Sequence, residues 1–156
     1  MNTNTAAEAI ASTDVTAALS DTAAITRHFD RYLRSLDDRG TYDESWAAAF
    51  FTEDATTSTP AGDVRGRDAI AANVRMAMGL FDRTVHFGSN YLIDVDGDRA
   101  TLLGNQLSTH VLAADGELFV SGGRTENELV RTAGGWRLSR ADLRIAWKQG
   151  NPPVLP

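Results

Sequence analysis

An α+β fold is what this sequence predicts: a cone-shaped, curved antiparallel sheet packed on three N-terminal helices and enclosing a pocket. Three observations predict it. Apolar residues recur at helical spacing through the first half and at every second position through the second, the switch falling after Arg83. The strand-like runs are separated by short Gly-containing turns, which are the connections of an antiparallel meander. Glycines interrupt those runs at Gly88, Gly104, Gly122 and Gly123, positions suited to bulges that curl a sheet around helices.

Residues 1–20 are rich in Ala, Thr, Ser and Asn without firm periodicity, and read as a flexible arm that turns helical at its end and carries no chemistry. The folded domain spans 21–150, and 151–156 form a tail. Ile25, Phe29, Tyr32, Leu33 and Leu36 give the first helix its apolar stripe, with Asp21 placed to cap its start and Gly40 to end it. Asp43 caps a second helix, expected from Glu44 to Phe51, that turns Trp46, Ala49 and Phe50 inward. Ala55 to Val64 reads as a short hairpin around Pro60, Ala61 and Gly62, and a third helix is expected over Arg67 to Phe81. Four strands should follow, at about Thr84 to Val95, Arg99 to Ala113, Glu117 to Thr132 and Trp136 to Trp147.

With 156 residues, 42% hydrophobic and 23% charged, the chain is long enough to bury one core. A formal net charge of -6 argues against nucleic acid or an anionic membrane as partner and leaves a hydrophobic small molecule open. The absence of cysteine excludes disulfides and thiolate zinc sites. No run approaches the roughly 18 to 20 apolar residues of a membrane span, and the N-terminus lacks the features of a signal peptide, so the cytoplasm is the expected location.

Histidine occurs only three times, so each can be weighed singly. In the first long strand His86, Gly88, Asn90 and Leu92 share one face, and Val85, Phe87, Tyr91 and Ile93 the other. Both faces are largely apolar, as they would be if one lined a pocket and the other met a second copy. A homodimer through the outer sheet face is therefore the expected assembly.

A lone strand histidine is more often structural than catalytic. Asp37 changes that balance. It stands at the C-terminal end of the first helix, where the dipole disfavours a carboxylate by about 0.3–1 kcal/mol. Brought to the sheet, it would orient one imidazole nitrogen and strengthen the other as a base; otherwise it is a solvated helix-end residue. An Asp–His pair without a nucleophile fits elimination, isomerisation, cyclisation and epoxide opening alike.

His110 shares a face with Leu102, Gln106 and Ser108, and either stands beside His86 or points to solvent near the strand end. His28, at the edge of the helical stripe, reads as a surface or boundary residue. Tyr32, Trp46, Phe50 and Trp147 are candidate pocket walls, with ordinary core packing as their alternative. Asp94, Asp96 and Asp98 lack the spacing of a calcium loop, and the histidines lack the helical pairing of a zinc site. No metal is expected, and with no Gly-rich phosphate loop or nucleophile elbow, no cofactor either.

The stretches Leu36-Asp37, Trp46, Phe51-Thr52-Glu53-Asp54-Ala55, Gly66-Arg67-Asp68-Ala69-Ile70, Thr84-Val85-His86-Phe87-Gly88-Ser89-Asn90 and Asp94-Val95-Asp96-Gly97-Asp98-Arg99-Ala100 resemble, in order and spacing, the SnoaL-like branch of the nuclear transport factor 2-like superfamily. The resemblance spans about Asp21 to Gly150. Around Asp37 and His86 it is similar to scytalone dehydratase and hexachlorocyclohexane dehydrochlorinase, families that use an Asp–His pair without a metal or organic cofactor. A second histidine of the dehydratase pattern falls near His110. Where the dehydrochlorinase pattern has a lysine and a late-strand arginine this chain has Tyr32 and Ala141, so dehydrohalogenation is not expected.

The resemblance implies a cofactor-independent lyase, cyclase or isomerase acting on a hydrophobic oxygenated molecule such as a polyketide or terpenoid intermediate. His86 would be base and acid, Asp37 its orienting group, and Tyr32, Asn90 and His110 the groups that polarise substrate oxygens. Trp46, Phe50 and Trp147 would wall the pocket. A non-catalytic binding or assembly module of the same fold remains the alternative, with an epoxide hydrolase or epoxide-opening cyclase as a second.

Overall fold

The computed structural model describes the backbone of residues 3–153 and the side chains of residues 16–153. Helix α1 runs Thr3–Asp37. It therefore starts far ahead of Asp21, where the apolar stripe places its beginning, and takes in the stretch read as a flexible arm. Ala6, Ala7, Ala9, Ala11, Ala17 and Ala18 favour a helix, and no Gly or Pro interrupts the chain before Gly40. Met1 and Asn2, and residues 154–156 of the tail, lie outside the described residues.

Asp21 does not cap. Its carboxylate instead takes a two-pronged bond from Arg131, at 2.8 and 2.7 Å, and a third from Trp136 Nε1 at 3.3 Å. The helix ends at Asp37, and the chain turns with Arg39 and Tyr42 in the left-handed region rather than through Gly40. Tyr42 is held there because its hydroxyl donates to the Leu36 carbonyl at 2.8 Å.

Helix α2 spans Glu44–Phe50, its N-cap Asp43 accepting from the Trp46 backbone N–H at 2.9 Å. Ala47, not Ala49, joins Phe50 in the interior, because the short helix presents positions three apart. Strands β1 (Phe51–Thr59) and β2 (Gly62–Arg65) form the expected hairpin. Helix α3 covers Arg67–Met78 and stops short of Phe81, which opens the next strand. The meander follows as β3 (Phe81–Asp96), β4 (Arg99–Leu112), β5 (Leu118–Thr132) and β6 (Gly135–Gln149).

One open sheet of six strands results, in the order β2-β1-β6-β5-β4-β3. It is mixed rather than wholly antiparallel, since β1 lies parallel to β6. The meander leaves the edge of β6 unpaired, and β1, leaving α2 in the same direction, fills it. Ile25, Phe29, Leu33 and Leu36 of α1 bury their stripe against Leu102, Leu129 and Leu138 of the sheet. Among the described residues no helix is long and apolar enough to cross a membrane.

Strand β3 carries the irregularity that matters most for the site. Its pairing with β4 jumps from Ser89↔Asn105 to Leu92↔Leu103, which inserts one extra residue, and Asn90 there has φ of 56°. Asparagine tolerates that conformation better than most residues. The alternation reverses across the bulge: His86 and Gly88 face inward before it, Tyr91, Ile93 and Val95 after it. Tyr91 lies over Gly88 and Gly104, where any Cβ would collide with its ring or hydroxyl, and donates to Asp30 at 2.8 Å. The D-x-D-G-D cluster is the β3–β4 turn, with Gly97 at φ 58° and Asp98 paired to Arg131 at 3.1 Å.

Candidate active site

Helix α1 lies across β3, so its last residue, Asp37, reaches the inner face of the strand that carries His86. His86 Nδ1 stands 2.7 Å from Asp37 Oδ1. Two further groups hold the carboxylate: the Thr84 hydroxyl donates to Oδ1 at 2.8 Å, and the His86 backbone N–H reaches Oδ1 and Oδ2 at 3.1 and 3.0 Å. Both side chains are nearly enclosed, 4% exposed for His86 and 12% for Asp37, which removes the competition of water for these bonds. Burial opposes the Asp37 charge, but the imidazole, the backbone N–H and the Thr84 hydroxyl outweigh it and hold the carboxyl below its usual range. A carboxylate on Nδ1 fixes that nitrogen as the proton-bearing one and leaves Nε2 to exchange protons.

The dyad opens onto a cavity of about 720 Å³. Phe29, Leu33 and Leu36 of α1, with Val74, Ala77 and Met78 of α3, give it an apolar roof. Its floor is the inner sheet face, which is unusually polar: Gln106, Ser108 and His110 on β4, and Ser121, Thr125 and Asn127 on β5. His110 does reach the pocket. Its ring stacks between Phe81 and Phe119, with centroids 4.3 and 5.7 Å away, and meets the His86 ring edge-on at 5.3 Å. Burial first, and then the electrostatic influence of the adjacent His86, push His110 down to about 4, so its imidazole is neutral at pH 7. Its Nδ1 is fully enclosed and has no partner, one of two such atoms among the described residues, the other being Arg67 Nε.

Tyr32 also lines the cavity. Its ring rests on Phe50 and Phe51, burial pushes its hydroxyl up to about 12, and among the described residues that hydroxyl has no protein partner. A neutral phenol of that kind is a hydrogen-bond donor. Trp147 lines the mouth, half exposed, with its ring over Gly122, where a Cβ would strike it.

Three expected site residues lie elsewhere. Asn90 faces solvent because the bulge turns it outward. Trp46 and Phe50 stand behind Tyr32 instead of on the cavity wall, Trp46 bonded through Nε1 to Ser35 at 2.9 Å. His28 is buried rather than at the boundary, with Nε2 3.1 Å from the Phe50 carbonyl, so it ties α1 to the end of α2. Thr84 was not singled out in the sequence, although its position two residues before His86 places it on the same face. Sequence reasoning also misses Ser121, Thr125 and Asn127, because alternation on β5 groups them on one side without saying that this side faces inward.

An α+β cone with an Asp–His pair at the inner end of its first helix defines a class of pocket proteins. The SnoaL-like domain model matches residues 17–142, and the chain belongs to that family, within the nuclear transport factor 2-like fold. A protein from Kribbella flavida is similar in structure, with a TM-score of 0.77, 28% identity, and coverage of 85% of this chain and 95% of that one. A putative scytalone dehydratase from Novosphingobium aromaticivorans DSM 12444 gives a TM-score of 0.76 at 27% identity, covering 88% and 93%. A hexachlorocyclohexane dehydrochlorinase from Novosphingobium barchaimii LL02 shares the fold at 21% identity and a TM-score of 0.73, covering 87% and 91%. No curated protein matches the chain by sequence.

Proposed function

We propose that this chain is a cofactor-independent lyase, cyclase or isomerase that moves a proton through His86 on a hydrophobic oxygenated substrate, of the polyketide or terpenoid kind. The observation that carries the reading is the 2.7 Å bond between His86 Nδ1 and an Asp37 carboxylate that is itself fixed by Thr84 and the backbone. A binding module needs no anchored carboxylate behind its histidine. The structural likeness to a protein described as a putative scytalone dehydratase supports a dehydration in particular.

For a β-hydroxy ketone the step balances as follows. His86 Nε2 takes the proton from the carbon beside the carbonyl, and the C–H electron pair becomes a C=C bond as the β C–O bond breaks. The leaving oxygen collects the proton from His86 and departs as water, which returns the imidazole to its starting state. Asp37 stabilises the imidazolium in between. Tyr32 supplies a hydrogen bond to a substrate oxygen, and His110, neutral and buried, packs edge-on against the His86 ring.

The test reads proton abstraction without assuming a product. The protein is incubated in D2O with a panel of cyclic β-hydroxy ketones, and deuterium at the carbon beside the carbonyl is followed by NMR. The wild type should exchange at least one of them, and His86→Gln should slow that exchange by roughly 10²-fold or more, the usual contribution of a general base. Exchange that proceeds unchanged in His86→Gln overturns the mechanism.

We also propose that a second copy of this chain covers the outer sheet face. Val85, Phe87, Leu92, Leu103 and Leu107 are exposed there on β3 and β4. Beside them, on β5 and β6, Arg140 pairs with Glu128 and Asp142, and Arg144 with Glu126, so carboxylates of this face are locally neutralised in a chain of net charge -6. Two copies can therefore meet on it without the repulsion their net charges impose elsewhere.

A further inference from the structure

The cross-strand register arranges the cavity floor in rows. His86 on β3 pairs with Ser108 on β4, and Ser108 with Ser121 on β5, so the three stand in line, each about 4.8 Å from the next by strand spacing. Gln106 stands two residues along β4, on the same inner face. All three floor residues beyond His86 are buried, Gln106 at 8% exposure, Ser108 at 3% and Ser121 at 5%.

Their hydrogen bonding is incomplete. Gln106 Nε2 donates to Ser108 Oγ at 3.1 Å, a bond between residues two apart on one strand. Such a bond joins no two elements, so it does nothing to hold the fold together. Among the described residues the Gln106 carbonyl and the Ser121 hydroxyl have no protein partner, yet neither is among the fully enclosed atoms, so both open onto the cavity. Buried polar groups of this kind cost stability unless something hydrogen-bonds them. Apolar residues would have filled the same inward positions more favourably.

We propose that Gln106, Ser108 and Ser121 form a substrate-recognition subsite beside His86 that reads hydroxyl groups along one edge of a ligand whose opposite side is apolar. The Gln106 carbonyl accepts from a ligand hydroxyl, and Ser108, its oxygen already engaged by Gln106, turns its own hydrogen toward the ligand. Ser121 extends the row by one strand. The roof of Phe29, Leu33 and Leu36 faces this floor, so an uncharged molecule with alternate hydroxyls on one edge and a hydrocarbon body is complementary to it. The inference rests on the cavity beside His86 being the substrate site.

Three matched probes test it by calorimetry on the full chain: olivetol, which carries two meta hydroxyls and a pentyl tail, meta-pentylphenol with one, and pentylbenzene with none. The wild type should bind them in that order. Gln106→Leu should weaken olivetol by roughly three- to tenfold, the worth of one neutral hydrogen bond, and leave pentylbenzene equal or tighter. Ser121→Ala, on a different strand, should act in the same direction and serves if Gln106→Leu does not fold. Equal affinity of the wild type for all three probes, or variants that weaken all three alike, overturns the subsite. His86→Gln should keep the ranking, so exchange surviving in that variant sinks the mechanism alone, and a flattened ranking sinks the subsite alone.

Discussion

His86 and His110 lie with their rings 5.3 Å apart, yet one has a carboxylate behind it and the other two phenyl rings. In the proposed mechanism that difference divides their roles: the first exchanges protons, and the second is held neutral by burial. The neutral state has a consequence for stability. His110 titrates at about 4 when folded against about 6.5 when unfolded, so between those values the unfolded chain binds more protons. Its contribution is complete above about pH 6.5 and is lost as pH falls toward 4. Burial lowers His28 too, which adds in the same direction. Urea unfolding at pH 7 and at pH 5 should differ by on the order of 2 kcal/mol from His110 alone. His110→Phe, which keeps the stack between Phe81 and Phe119, should flatten that share of the pH dependence; an unchanged slope would contradict the assignment.

At the scale of elements, β3 does more than carry His86. Its bulge at Asn90 converts a strand that begins with His86 facing in to one that ends with Tyr91 and Ile93 facing in, and Tyr91 then seals the α1–β3 contact over two glycines. Gly88→Ala should lower the thermal midpoint by the equivalent of about 1–3 kcal/mol, because the added methyl meets the Tyr91 hydroxyl and Leu33. Adding Tyr91→Phe should recover part of the loss, and a Gly88→Ala protein that melts like the wild type would refute the account. This bulge also marks where sequence reading stops. Helical spacing showed the α1 stripe, and turn chemistry showed the hairpins, because both are local. Alternation along β3 placed Asn90 inward because a bulge leaves no local pattern beyond a residue that tolerates positive φ. The parallel pairing of β1 with β6 is set by which edge stays open after folding, a property no single segment carries. Helix end and strand face allowed the Asp37–His86 pair without requiring it, and the family resemblance rather than spacing singled it out. The retreat of Trp46 and Phe50 behind Tyr32 was not legible, since periodicity gives a face but not a depth.

For the whole molecule, the two faces of one sheet divide the work. The inner face holds the Asp37–His86 pair and the outer face carries the exposed apolar row of Val85, Phe87, Leu92, Leu103 and Leu107. Light scattering behind size exclusion should return twice the chain mass, and Phe87→Arg, which places a charge amid that row, should shift it to one chain mass while leaving the inner cavity intact. A wild type that runs as a monomer at all concentrations would remove the second copy from the account.

The polar floor has one more consequence. Gln106, Ser108 and Ser121 hang from strands whose pairing is made entirely by main-chain atoms, and no bond from them ties one element to another. The dyad, by contrast, is locked by four contacts onto a single carboxylate. Under the proposed function, mutation can therefore rewrite what the cavity recognises without disturbing either the scaffold or the Asp37–His86 pair. Such separability makes this architecture evolvable: floor residues can be exchanged one at a time, each intermediate still folded and still holding the Asp37–His86 pair.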